Sequence, residues 1–267
     1  MNLNMKNAAI DYAKRGIPVI PLHTPVGRAS CSCESEGCTN VGKHPRVKNW
    51  QKDATINLTT IEKWWSSWPD ANIGLLCGKK FNVLDIDYKD SGDVSLQCLE
   101  EKHGPLPKTV ISHTGNGKHI LFSCTDGNIS NKVGLFSGID IRANNGMIVA
   151  PPSLHHSKKR YEWDNDNNLE NTKIENMPEW LKCELTKTNT PHSQESIDND
   201  DIIPDGKRND TLFKIGCSLV KNGTSIETIF DILSKENIDR CSPPLSVQEI
   251  AKISQSCERY AKKCEEM

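Results

Sequence analysis

The spacing of apolar positions changes along the chain, and those changes outline its elements. Over residues 5–15 they recur at helical intervals and Gly16 ends the run, which predicts an opening amphipathic helix. IPVIPL (17–22) reads as a strand punctuated by proline. Residues 27–49 read as a Cys-rich loop, and residues 60–69 as a short amphipathic helix stopped by Pro69. NIGLLCG (72–78) and FNVLDID (81–87) are short apolar runs around a Gly-Lys-Lys turn, the pattern of a β-hairpin. Residues 91–103 predict a helix with Leu96 and Leu99 facing inward. Further strands are expected at 109–115, 118–123, 138–143, 146–152 and 160–164. This order predicts an α+β domain with a mixed or mostly antiparallel sheet.

Residues 186–204 lose hydrophobicity, gain Ser, Thr, Asn and Asp, and read as a linker. Beyond it, 211–223, 225–237 and 246–263 each repeat apolar residues at three- and four-residue spacing. Ser225 and Ser246 sit at N-cap positions, and Ser246 with Glu249 fits a capping box. The expected organisation is a main domain over 1–185, a linker over 186–204 and a small helical domain over 205–267.

Composition adds limits. Lys and Arg total 33 against 35 for Asp and Glu, so a nucleic-acid partner would need positive charge gathered locally. No apolar run approaches the ~20 residues that span a bilayer. The first sixteen residues lack the apolar core of a signal peptide, so the cytoplasm is the expected compartment. There, clustered members of the eleven cysteines point to metal and scattered ones to plain thiols.

Three groups carry chemistry. Val83-Leu-Asp85-Ile-Asp87 puts two carboxylates on one face of a strand, about 7 Å apart. Like charges so placed repel unless a cation lies between, although two exposed acids on a solvent-facing strand would read the same. Gly138-Ile-Asp140-Ile-Arg142 repeats the pattern. Asp140 could complete a cage for two Mg²⁺ or Mn²⁺ ions and Arg142 could bind a triphosphate oxygen; the alternative is a structural Asp–Arg pair. The second group is the turn Ser112-His-Thr114-Gly115-Asn-Gly117-Lys118-His119. Its glycines let backbone N–H groups approach phosphates, with His119 and Lys118 as further donors; alone it would be an ordinary hairpin. The third, Cys31-Ser-Cys33-x4-Cys38-x5-His44, supplies the four ligands of a tetrahedral, structural Zn²⁺ site, the alternative being incidental thiols. Lys43, Arg46 and Lys48 beside it form a small basic patch for template or triphosphate.

Taken in order, CSCESEGCTNVGKHPRVKNW, WPDANIGLLCG, NVLDID, TGNGKHILF and GIDIRANNGMIVAPPSLHHSKKRYEW resemble the bifunctional primase–polymerase domain of the archaeo-eukaryotic primase superfamily, over residues 5 to 182. GKRNDTLFKIG and CSPPLSVQEIAKISQSCERY resemble the helical primase C-terminal domain that often follows. The resemblance implies an α+β, mixed or antiparallel-sheet catalytic domain with a Cys/His zinc loop over 27–49, plus a small C-terminal helical domain. It implies template-directed nucleotide addition, making or extending primers on single-stranded DNA from NTPs or dNTPs. Asp85, Asp87 and Asp140 match the family's metal-binding carboxylates, and His119 the histidine that contacts the incoming phosphates. Ser112, Thr114, Gly115, Lys118 and Arg142 are expected to join it. Cys31, Cys33, Cys38 and His44 match a Cys/His metal cluster. Replication of a plasmid, phage or other mobile element, with a helicase as partner, is the expected setting. The competing reading is a zinc-containing nucleic-acid-binding module with a dead polymerase site.

Overall fold

The computed structural model describes residues 4–27, 30–124, 129–186, 202–221 and 224–265. Its contacts separate into two compact units, Met1–Lys187 and Thr188–Met267. It has the expected α+β character, with antiparallel sheets in the first unit and helices in the second.

In the first unit, α1 (Met5–Lys14) starts at Asn4, whose side chain accepts from the Asn7 N–H. Strand β1 (Val19–Leu22) follows, then a short ladder of β2 (Pro25–Val26) with β3 (Ser30–Cys31) where the chain enters the Cys-rich loop. After α2 (Trp50–Asp53), α3 (Leu58–Ser67) is capped by the Asn57 side chain and buries Ile61 and Trp65. Next come β4 (Asn72–Leu76), β5 (Phe81–Asp87) and α4 (Gly92–His103). Leu96 is buried and Leu99 half-buried against the same cluster, as their spacing predicts. The unit closes with β6 (Ile111–His113), β7 (Gly117–Ser123), β8 (Lys132–Phe136), β9 (Ile139–Arg142), β10 (Met147–Ala150), β11 (Glu162–Trp163) and α5 (Glu179–Thr186).

The strands form two main sheets, ordered β1-β4-β10 and β11-β6-β7-β5-β9-β8. The hairpin expected from residues 72–78 and 81–87 does not form. β4 pairs antiparallel with β1 and β10, while β5 pairs antiparallel with β7 and β9. Both runs are buried almost throughout, and a central strand needs a partner on each edge. Gly78, at φ +85°, redirects the chain between the two sheets.

Alternation sorts the β5 residues onto two faces. Leu84 and Ile86 pack with Ile120, Phe122, Ile139 and Ile141 and with α4 and α5. Phe81 and Val83 face the other way, into a cluster with Ile73 and Leu75 of β4 and the inward residues of α1 and α3. Asp85 and Asp87 continue that second face, beyond the end of its apolar packing.

In the second unit, β12 (Ile203–Pro204) pairs parallel with β13 (Cys241–Ser242). Helices α6 (Arg208–Lys221), α7 (Ile226–Arg240) and α8 (Val247–Glu265) bury Leu212, Phe213, Ile229, Leu233, Ile250 and Ile253. Both expected N-caps are present. The Ser225 hydroxyl accepts from the Thr228 N–H, and Glu249 accepts from the Ser246 N–H while Ser246 accepts from the Glu249 N–H. Residues 187–201 of the expected linker lie outside the described residues, whereas Ile203 and Pro204 are ordered into β12. Among the described residues, no helix is long and apolar enough to cross a membrane.

Candidate active site and candidate metal centre

Strand order decides what the sequence left open about the acids. Asp85 on β5 stands directly opposite Asp140 on β9 and His119 on β7, and His119 stands opposite Ser112 on β6. Four polar residues therefore form one row across four adjacent strands, on the sheet face that Phe81 and Val83 begin. Directly opposed side chains are neighbours at ~5 Å, so Asp85 and Asp140 would repel without compensation. Arg142 supplies part of it: its Nη2 donates to Asp140 Oδ2 at 2.7 Å and its Nε to Asp85 Oδ2 at 3.3 Å. The other Asp140 oxygen accepts the Gly134 N–H of β8 at 2.7 Å, so the β8–β9 hairpin fixes that carboxylate.

Asp87 lies two residues further along β5 and is exposed. Its Oδ1 accepts from the Lys89 N–H and from the Asn116 side-chain amide of the glycine turn. His119 is buried, with Nδ1 3.2 Å from the Ser112 hydroxyl and Nε2 3.6 Å from Asp85 Oδ1. Burial lowers its pKa more than Asp85 raises it, and the charges of Lys43 and Arg142 push the same way. The ring is thus neutral at pH 7, able to donate a proton through one nitrogen and accept through the other.

The structure gives three residues of the turn placements that the sequence did not show. Lys118 follows its neighbours' alternation to the opposite face, where it lines a groove with Leu96, Glu100 and Ile120. Thr114 shapes the turn: its N–H donates to the Gly117 carbonyl and its hydroxyl accepts the Asn116 N–H. The two glycines are required for space around the turn itself. A Cβ at Gly117 would strike the Ile86 carbonyl, and one at Gly115 would strike the His155 ring. Gly115→Ala is therefore expected to destabilise the fold by about 1–3 kcal/mol through overpacking, read as a lower Tm, and adding His155→Ala should recover part of that loss. His113 points away from the row and pairs with Asp164 at 3.0 Å.

The Cys/His loop assembles as its spacing predicts. Ligand atoms of Cys31, Cys33, Cys38 and His44 all lie within 4.8 Å of one another, and among the described residues this is the sole such group of three or more. His44 Nε2 is 3.4 Å from Cys31 Sγ and 3.5 Å from Cys38 Sγ. Sulfur at ~2.3 Å and nitrogen at ~2.0 Å from one centre, at the tetrahedral angle, stand about 3.5 Å apart. The donor set therefore fits a four-coordinate ion. Burial raises the Cys31 pKa, but N–H donors from Gly42 and Cys33 and the His44 ring overcome it and hold the thiol at about 6. Burial and the two neighbouring thiols raise Cys38, so the cluster would gain from a cation that offsets its negative charge.

Arg46 braces this loop. Its Nε donates to the Leu22 carbonyl, its Nη2 to the Ser32 hydroxyl at 2.7 Å, and its guanidinium lies 5.4 Å from the Trp68 ring centroid. Lys43 and Lys48 remain exposed. Sequence reasoning missed the buried Asn72, His155 and Tyr161, which line the same region. The one signal for the last two was the stretch PPSLHHSKKRYEW, in which no spacing rule marks a role.

The family model described as bifunctional DNA primase/polymerase, N-terminal, matches residues 9–180. That described as primase C terminal 1 (PriCT-1) matches residues 200–263. No curated protein matches the chain.

Proposed function

The chain belongs to the bifunctional DNA primase/polymerase family, and from that premise we propose that it is a DNA primase–polymerase adding nucleotides on a single-stranded DNA template. The observation that carries the reading is the cross-strand row Ser112–His119–Asp85–Asp140, with Asp87 beside it. Three carboxylates and one buried neutral imidazole on one sheet face suit a reaction at a polyanionic substrate that needs divalent cations.

In this reading Asp85, Asp87 and Asp140 hold two Mg²⁺ or Mn²⁺ ions. Bound there, the ions would activate a 3′-hydroxyl and stabilise the leaving pyrophosphate. The protein's own groups bind and orient the substrate. His119, kept in place by Ser112, donates a proton to the phosphates. Arg142 exchanges its carboxylate partners for a triphosphate oxygen, a planar fork being suited to either acceptor. The Gly134 N–H keeps Asp140 aimed at Asp85 throughout. The Cys/His loop takes a structural Zn²⁺, and the helical C-terminal unit assists by gripping template or the initiating nucleotide. Replication of a mobile element, alongside a helicase, is the proposed setting.

Labelled nucleotide supplied with Mg²⁺ or Mn²⁺ and single-stranded templates of different sequence tests this directly. Products whose composition tracks each template are expected, and comparing NTPs with dNTPs reads the sugar preference. No incorporation under any metal or template would instead favour a nucleic-acid-binding module. Products independent of template would favour a nucleotidyltransferase of another kind.

A further inference from the structure

His155 lies in the stretch PPSLHHSKKRYEW, which assigned it no role, yet it is built into the same cleft. It is 6% exposed, and its ring fills the space that Gly115 leaves open in the glycine turn. The Ser157 N–H donates to Nδ1 at 3.2 Å, so that nitrogen carries no proton, and the Ser157 hydroxyl lies 2.8 Å from the same atom. Burial, followed by the charges of Lys43, His156 and Lys89, holds the ring's pKa at about 4 despite Asp87, so it is neutral at pH 7. The one ring proton therefore sits on Nε2, which has no protein partner among the described residues.

Its position is set from two sides. Tyr161 lies edge-on to His155 with centroids 5.7 Å apart, and stacks near His119 at 6.1 Å. One aromatic wall thus runs from the histidine opposite Asp85 to His155. On the other side, the buried Asn72 amide joins two loops. Its Nδ2 donates to the Gly42 carbonyl at 2.9 Å and to the Leu154 carbonyl at 2.8 Å, and its Oδ1 accepts the Leu154 N–H at 2.9 Å. The residues just before Lys43 and just before His155 hang on this one side chain. The Lys43 charge is felt at His119, His155 and His156 alike.

A fixed neutral N–H donor beside an exposed ammonium is suited to an anion. The anion that nucleotidyl transfer brings alongside Asp85 and Asp87 is the phosphate chain of the incoming nucleotide. We propose that His155 is a nucleotide-binding residue that donates its Nε2 proton to that phosphate chain next to Lys43, with Asn72 positioning both. The assignment rests on the primase–polymerase reading above.

Two binding measurements on the full chain test it without requiring turnover: calorimetric titration with dATP and Mg²⁺, and fluorescence anisotropy with a labelled single-stranded oligonucleotide. His155→Ala should weaken dATP binding roughly tenfold, the size expected for one hydrogen bond to a charged acceptor. His155→Gln, whose amide offers a donor of similar reach, should recover most of it, and oligonucleotide affinity should hold within about twofold. Lys43→Met, at an exposed position that leaves the core intact, should weaken dATP binding in the same direction. Unchanged dATP affinity in a folded His155→Ala or Lys43→Met variant would overturn the assignment. So would a loss confined to the oligonucleotide, which would move His155 to the template backbone. Wild-type protein that binds dATP in this His155-dependent way yet makes no templated product would sink the polymerase reading alone.

Discussion

Asp85→Asn should reduce templated nucleotide incorporation by roughly a thousandfold or more while leaving the chain folded. The size follows from the position. Asp85 is the centre of the row, with His119 on one side and Asp140 on the other. Removing its charge removes the proposed metal ligand at the middle of the row. Metal stabilisation of transition-state charge amounts to several kcal/mol, and each 1.4 kcal/mol is a factor of ten in rate. The fold should survive because Asn has the same shape and Arg142 keeps its 2.7 Å bond to Asp140. Asp85 is only partly buried, so its ion pair with Arg142 contributes little to stability in any case. Incorporation by the purified variant, with circular dichroism as the control for folding, checks the expectation. Wild-type rates from Asp85→Asn would show that the carboxylates are not the catalytic centre. Asp140→Asn should behave alike in activity, with an added effect on β8, because the Gly134 N–H then bonds to a neutral acceptor.

How much of this site could be read beforehand depended on which relations were local. Period-two alternation placed Asp85 and Asp87 on one face without any knowledge of the fold. The same rule, applied to β7, separates Lys118 from His119, since adjacent strand residues cannot both face the cleft; grouping them was the error. That Asp140 lies opposite Asp85 is a matter of strand order, and no local pattern encodes which strands become neighbours. Strand order also undid the hairpin expectation at 72–87, where two buried runs close in sequence each found partners far along the chain. β8 carries no periodic signal: it has Gly134 at its middle, an exposed Val133 and an irregular register with β9. The helical unit was the most legible part, because capping boxes and three-to-four spacing act within a few residues. Asn72 was the least, since its meaning lies in three backbone groups drawn from residues 30 and 82 positions away.

Changing Cys31 and Cys33 to Ser should abolish stoichiometric zinc binding and loosen residues 27–49, and its consequences should reach the nucleotide site. Serine keeps nearly the size but replaces each thiolate with a hydroxyl that stays protonated at neutral pH, so two of the four close-packed ligands are lost. A structural zinc supplies on the order of 10 kcal/mol of apparent binding free energy, far more than the two-stranded β2–β3 ladder or the Arg46 braces could replace. Zinc measured by atomic emission should fall from about one per chain to near zero, and limited proteolysis should cut within 27–49. The carboxylate row should persist, because its strands pair with one another and take no bond from the loop. What the loop does share with the site is Asn72, whose amide holds the Gly42 carbonyl next to Lys43. Releasing that carbonyl leaves the Asn72 and Leu154 bonds in place but frees Lys43. The expected kinetic signature is a raised KM for nucleotide with a smaller change in kcat, since an exposed ammonium acts mainly in binding the triphosphate. Zinc content equal to wild type in the double variant would mean that the cluster is not the metal centre. Zinc loss with an unchanged nucleotide KM would instead confine the loop to a purely structural role.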